Sequence, residues 1–89
     1  IMKIKNGFAK REIAGSYIVV PVGKEASEFN GMITLNESGS FFWDCLQNDT
    51  TFDDAIEKIT SEYDVEKSRA EEDLKKFITM LKENNLLDE

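Results

Sequence analysis

Hydrophobic and polar residues follow two different periods along the chain, and the change of period divides it into two parts. Residues 8–13 and 17–22 contain the β-branched and aromatic residues that favour strands. The short connection at 14–16, which contains a glycine, predicts a hairpin between them. A polar segment at 23–31 predicts a loop, and a third short strand is expected at 32–35.

From Asn36 onward the apolar residues recur at the spacing of a helix. Asn36 is a suitable N-cap, and Glu37 in the first turn interacts favourably with the helix dipole. We expect this first helix to reach about Asn48. Its predicted inward-facing residues are Phe42, Trp43, Cys45 and Leu46.

Two further helices are predicted after the first. Thr51 followed by Asp54 resembles a capping box and predicts the start of the second helix. Asp64 is expected to cap a third, longer helix at about 65–84. The predicted inward stripes are Phe52, Ala55, Ile56, Ile59 and Tyr63 in the second helix, and Ala70, Leu74, Phe77, Ile78 and Leu81 in the third.

The order of three strands and then three helices predicts an α+β fold in which a three-stranded antiparallel sheet packs on one side of the helices. A winged helix-turn-helix is the small fold that suits this order. Asn84 and Asn85 can end the third helix in the left-handed conformation, so that Leu86 and Leu87 fold back onto the body.

The length and the charge of the chain restrict its function. Its 89 residues predict a single domain, 1–89, and its formal net charge is −7. Residues 1–13 carry +3, residues 14–63 carry −7 and residues 64–89 carry −3. Such a protein repels nucleic acid and attracts a basic peptide. A single cysteine and no apolar run long enough for a membrane span indicate the cytoplasm. Since Ile1 precedes Met2, we expect Met2 to be the natural start.

The residues that catalysis or metal binding usually requires are scarce. The chain has no histidine, and no glycine-rich phosphate loop is recognisable. Cys45 lies on the apolar side of the first helix, so core packing is the favoured interpretation and a reactive thiol the alternative. Neighbouring acids such as Asp53 and Asp54 point about 100° apart on a helix and indicate a solvated face. We therefore predict no catalytic, cofactor or metal site, and no enzyme.

Several short segments, taken in order, resemble a known family. Gly31 is followed by a strand that runs into a helix containing Gly39, and the last helix has its own characteristic spacing. The matching pieces are Phe8-Ala9-Lys10-Arg11, Met32-Ile33-Thr34, Leu35-Asn36-Glu37, Tyr63-Asp64-Val65, Asp73, Phe77, Leu81 and Leu86-Leu87. Over nearly the whole chain the pattern resembles the PqqD family (coenzyme PQQ synthesis protein D), the stand-alone recognition element for ribosomally made, modified peptides (RiPPs). Asn85 departs from it, since many relatives have glycine there.

The resemblance implies a winged helix-turn-helix that acts as a peptide chaperone. In that family the leader segment of a precursor peptide adds antiparallel to the third strand and lies in the groove beside the third helix. The domain then presents the precursor to a modifying enzyme, often a radical SAM enzyme. Carried over to this chain, the strand is 32–35 and the helix is about 65–83.

The residues themselves favour the same mechanism, because an exposed strand edge accepts any extended chain. Met32 and Thr34 are expected on one face of the strand, and Ile33 and Leu35 on the other. Charged residues of the third helix would fix the register, and apolar ones would form a shelf. The predicted peptide-binding residues are Met32, Ile33, Thr34, Leu35, Arg69, Asp73, Lys76, Phe77 and Met80.

Each of these assignments has an alternative. Phe77 could belong first to the core, Asp73 could cap or pair within the fold, and Arg11 could be a plain surface residue. Met32 and Ile33 could both be buried, which would leave only their backbone for binding. For the whole protein, the alternatives are a DNA-binding regulator and a purely structural subunit or dimerisation module. The protein is expected to be a monomer or a domain-swapped dimer. Five basic and five acidic residues at 66–83 are a poor footprint for DNA.

Overall fold

The computed structural model describes residues 1–23 and 32–89 and has the predicted α+β architecture, a winged helix-turn-helix. A loop was predicted at 23–31, and residues 24–31 of it, with Gly31, lie outside the described residues. In chain order the elements are β1 (Lys3–Ile4), β2 (Phe8–Ile13), β3 (Ser16–Pro21), β4 (Ile33–Leu35), α1 (Glu37–Cys45), α2 (Phe52–Glu62), α3 (Lys67–Glu83) and β5 (Leu87–Asp88).

The main sheet is antiparallel with the strand order β2-β3-β4. Ile13 pairs with Ser16 across a two-residue turn in which Ala14 has φ 51° and Gly15 has φ 83°. Two positive φ angles are typical of the type I′ turn that fits the twist of a hairpin. The predicted hairpin is therefore confirmed, and β4 lies at the edge of the sheet.

A second, two-stranded sheet was not predicted from the sequence. β1 pairs antiparallel with β5, Ile4 opposite Leu87, and Met2 forms a bridge with Thr50. The backbone N–H of Ile4 also donates to the carbonyl of Leu46 at 2.8 Å. These contacts tie the beginning and the end of the described chain to the connection between α1 and α2. Strands of two residues are too short for a period to be recognised.

The caps of the first two helices are as predicted. The Asn36 side chain accepts a hydrogen bond from the Gly39 N–H at 2.7 Å, and Thr51 accepts one from the Asp54 N–H at 3.1 Å. However, α1 ends at Cys45 rather than near residue 48. The chain leaves the helix there because it must turn to meet β1.

The start of α3 differs from the prediction, whereas its end agrees with it. Asp64 is not the cap; Glu66 holds that position without a side-chain cap bond, and the helix is Lys67–Glu83. Residue 64 lies outside the helix and is exposed, because the backbone at Tyr63 and Glu66 is non-helical and the Val65 N–H donates to the Tyr63 carbonyl at 3.0 Å, which makes a turn at Asp64. At the other end Asn85 has φ 59°, and Leu86 is fully buried. The left-handed stop is therefore confirmed.

The core lies between the inner face of the main sheet and the three helices. All five residues of the predicted α3 stripe are buried, as are Ala55, Ile56 and Ile59 of α2, while Phe52 and Tyr63 are half-buried at the margin. The predicted α1 residues Phe42, Trp43, Cys45 and Leu46 are all buried. Lys10 of β2 links the sheet to α1, since its Nζ donates to Ser40 Oγ at 2.6 Å and contacts Asp44 Oδ1 at 2.7 Å.

Candidate functional site

The exposed edge of β4 is set by the hydrogen-bond pattern of the sheet. The Val22 N–H donates to the Gly7 carbonyl at 2.8 Å, so Gly7 and Val22 form a hydrogen-bonded pair. This pair lies an even number of residues from Ile13 and Ser16, the bonded pair beside the hairpin turn. Opposite residues alternate between bonded and non-bonded pairs, so Ile18 directs its backbone polar groups towards β2. Thr34, which lies opposite Ile18, must then direct its own N–H and C=O away from β3. Among the described residues no strand lies on that side of β4.

A groove opens beside this edge. It encloses about 460 Å³ between β4, the first turns of α1 and one face of α3. It brings together seven of the nine predicted binding residues with four that were not predicted. The lining residues are Thr34, Leu35, Asn36, Ser38, Gly39, Phe42, Arg69, Asp73, Lys76, Phe77 and Met80.

The apolar part of the groove is formed by residues that also belong to the core. Leu35, Phe42 and Phe77 are each less than 10% exposed, and Met80 is half-buried. The rings of Phe42 and Phe77 pack edge to face, with centroids 5.6 Å apart and planes at 86°. This is a favoured arrangement for two aromatic rings. Phe77 therefore stabilises the core and forms the groove wall at the same time.

The charged part of the groove lies along α3 and is internally paired. Arg69 Nε donates to both carboxylate oxygens of Asp73, at 3.2 and 3.1 Å. Lys76 Nζ lies 3.5 Å from a carboxylate oxygen of Glu72. Both pairs are exposed and have the i, i+4 spacing, so each contributes only a few tenths of a kcal/mol to stability. The alternative that Asp73 pairs within the fold is confirmed.

Two predicted binding residues do not line the groove. Met32 precedes β4 and is 65% exposed, which excludes the alternative that it is buried. Ile33 is half-buried on the inner face of the sheet, next to the core. Arg11 is exposed on β2, as the surface alternative expected.

The four lining residues that the sequence did not predict come from the start of α1. From the sequence, Asn36 was predicted only as a helix cap, and Gly39 was noted only as a position that resembles the family. A Cβ on Gly39 would lie 3.0 Å from Asn36 Oδ1, so glycine allows the cap to close against the groove. Placing these residues beside α3 requires the packing of the helices, which no local pattern contains.

A second cavity, of about 660 Å³, lies between α1 and α2, away from the edge of β4. Its rim is acidic, with Asp44, Asp54 and Glu57 among its residues. Cys45 borders it, and burial raises the pKa of its thiol, which favours the protonated form at neutral pH. Within residues 1–23 and 32–89, no three potential metal ligands lie close enough together to hold an ion.

The negative charge of the protein lies mainly on α1, α2 and the connections that follow them, whereas α3 has five bases and four acids. Residues 37–66 contain nine acids and one lysine. They flank α3, the helix that would enter a major groove in a DNA-binding winged helix. Phosphates would be repelled from this side of the molecule. Within the ranges that the structure describes, no helix has the length and apolar character of a membrane span.

The fold and the groove define a winged helix-turn-helix protein with an open strand edge beside its third helix. The family model of coenzyme PQQ synthesis protein D (PqqD) matches residues 16–87. The chain therefore belongs to the PqqD family, and the resemblance seen in the sequence is confirmed. A comparison with curated protein sequences finds no significant match.

Two solved structures share the fold. One is TbiB1 in complex with the TbiA(beta) leader peptide, with a TM-score of 0.75 and 22% identity, covering 97% of this chain and 94% of that one. The other is lasso peptide synthetase B1 complexed with the leader peptide, with a TM-score of 0.74 and 22% identity, covering 99% of this chain and 98% of that one.

Proposed function

We propose that this protein is a peptide-recognition element that binds the leader segment of a ribosomally made precursor peptide. The leader adds as a strand to the open edge of β4 and lies in the groove beside α3. The observation that carries the proposal is the orientation of Thr34, whose backbone donor and acceptor point away from the sheet and into the space next to the groove.

Membership of the PqqD family supports this function. Both structural neighbours are described as complexes with a leader peptide, and the present chain matches either over almost its whole length. The DNA-binding alternative receives no comparable support, since α3 has paired charges and acidic surroundings. The groove and the edge fit an extended chain better than a duplex.

The protein acts as a carrier without chemistry of its own. It holds the leader while a separate modifying enzyme, such as a radical SAM enzyme, works on the following part of the precursor. Such a division of tasks requires a second interaction, between the carrier and the enzyme. We place this encounter in the cytoplasm, where precursors are synthesised, with the carrier as a monomer whose edge is open for the guest.

Titration of the ¹⁵N-labelled protein with leader peptide tests the proposal. A candidate precursor is sought as a short open reading frame near the gene. Short synthetic peptides that tile it are added in turn, and amide shifts are followed residue by residue. The expected shifts are concentrated at β4, at the start of α1 and along α3. A scrambled peptide of equal composition is the control. Shifts confined to the cavity between α1 and α2 would reject the proposed groove.

The salt dependence of the same titration gives a second test. Backbone hydrogen bonds and apolar contacts are not screened by salt, whereas long-range attraction to an acidic protein is. We therefore expect affinity to fall by less than about tenfold between 50 and 500 mM NaCl, in contrast to the losses of about 10³ or more typical of phosphate-dependent binding. A decrease of several decades would indicate an electrostatic partner instead.

A further inference from the structure

We infer that the inner side of the β4 edge and the groove beside it together recognise an extended segment in which two apolar side chains are separated by a single residue of any kind. The residue between them is the one that hydrogen-bonds to Thr34. This inference rests on the proposed function and specifies its substrate. Backbone recognition and side-chain recognition would therefore fall on alternate residues of the guest.

The backbone of β4 offers one residue to a guest strand. Because Ile33 and Leu35 face β3 with their N–H and C=O groups, Thr34 is the residue of β4 that can bond a strand on the other side. An antiparallel guest would place one residue opposite Thr34 and exchange two hydrogen bonds with it. The N–H groups of the two adjacent guest residues would point away from β4.

The side chains of the guest would alternate between the two faces of the sheet. Directly opposite residues of an antiparallel pair point to the same face of the sheet. The guest residue opposite Thr34 would share its exposed outer face, whereas its two neighbours would lie opposite Leu35 and Ile33 on the inner face. Ile33 does not line the groove, but it is half-buried against the core, so an apolar guest residue opposite it would cover the part of Ile33 that is still exposed to water. Leu35 is only 5% exposed and borders the groove, together with Phe42 and Phe77. An apolar side chain is the one that gains most by entering there.

The guest residue opposite Thr34 can carry any kind of side chain. Thr34 is exposed, and Met32, on the same face, is 65% exposed. A guest side chain beside them keeps its contact with water, so a charged or bulky residue is accommodated without desolvation. The central residue would also be the one available to a second protein that approaches the outer face.

Two scans of the tightest-binding leader peptide test whether backbone recognition and side-chain recognition fall on alternate residues. In the first scan each peptide residue in turn is N-methylated, and in the second each is replaced by Asp. We expect one position where N-methylation weakens binding about tenfold or more, since the methyl group removes a hydrogen bond and occupies the edge. At its two neighbours N-methylation is tolerated, whereas Asp weakens binding by about tenfold or more.

A variant of the protein provides the matched test. Thr34→Pro removes the N–H that the guest needs but leaves the bonds between β3 and β4 intact, because proline is accepted on an edge strand. We expect peptide binding to be lost, whereas Glu12→Pro, which removes an outward-pointing N–H from β2 at the opposite edge of the sheet, should bind as the parent does. The ¹⁵N spectrum and thermal unfolding report whether the Thr34→Pro variant folds; if it does not, the peptide scans decide alone.

The outcomes separate the two proposals. If no tiled peptide shifts the β4 amides, the proposed function itself is overturned. If a peptide binds at β4 but the same residue is sensitive to both scans, or the two Asp-sensitive residues are not separated by one, only the present inference is overturned.

Discussion

The stop of α3 offers a quantitative test of how local geometry supports this fold. Asn85 N–H donates to the Lys82 carbonyl at 3.1 Å, and Leu86 N–H donates to the Leu81 carbonyl at 2.8 Å. This is the pattern of a Schellman motif, in which the residue at φ 59° is usually glycine. An L-residue with a Cβ is strained in this conformation by about 1–2 kcal/mol, and asparagine less than most. We therefore expect Asn85→Gly to be more stable than Asn85→Ala.

The difference in stability between these two variants isolates the cost of the left-handed backbone conformation at residue 85. Both lose the hydrogen bond that Lys5 Nζ donates to Asn85 Oδ1 at 2.8 Å, an exposed contact of small value. Glycine gains more entropy in the unfolded chain, by about 0.4–1 kcal/mol, which partly offsets its advantage. The expected net difference in the free energy of unfolding is about 1 kcal/mol, or roughly 4–8 °C in Tm for a domain of this size.

Urea unfolding followed by circular dichroism, with thermal unfolding as a second probe, measures this difference. The parent protein should lie between the two variants or close to the glycine variant. Equal stabilities of the glycine and alanine variants, or a more stable alanine variant, would refute the view that the left-handed backbone angle determines the residue at this position.

Two further predictions concern individual side chains. Met80→Gln keeps the length and helix propensity of the side chain but removes apolar surface from the groove, so we expect leader affinity to fall about tenfold with Tm changed by only a few degrees, as measured by calorimetric titration and thermal unfolding. Met80→Leu should bind within about threefold of the parent, and an equal loss in both variants would contradict an apolar role. The Cys45 thiol is buried and its pKa is raised, so we expect DTNB to react with it far more slowly in the native protein than in urea; equal rates at neutral pH would contradict the burial.

The sequence predicted most of the fold because its local signals agree with the tertiary packing. The helix stripes, the Asn36 and Thr51 caps and the hairpin turn each have a local physical cause. The sheet of β1 and β5 was missed because two-residue strands form only after the rest of the chain has brought its ends together. Asp64 was chosen as a cap on residue type alone, which does not determine where the connection between α2 and α3 ends.

The candidate site was predicted only in part, because local patterns do not contain the relative positions of the elements that form it. Alternation along a strand and the period of a helix determine which faces residues share, and they selected Thr34, Leu35 and the groove side of α3. They do not determine how two elements approach each other. The contribution of Ser38 and Gly39, and the fact that Ile33 lies next to the groove without lining it, depend on that approach.

The distribution of charge explains how a winged helix could serve peptides rather than DNA. The acids at 37–66 exclude phosphate from the side of α3, while the ion pairs of Arg69 and Lys76 leave the groove itself nearly neutral. Long-range attraction can then accelerate the encounter with a basic precursor but adds little once the strand is paired. Backbone bonds to β4 are available to any extended chain, so they supply affinity without selectivity. On the proposed function, discrimination between peptides must therefore come from side chains, and chiefly from the few that enter the apolar part of the groove.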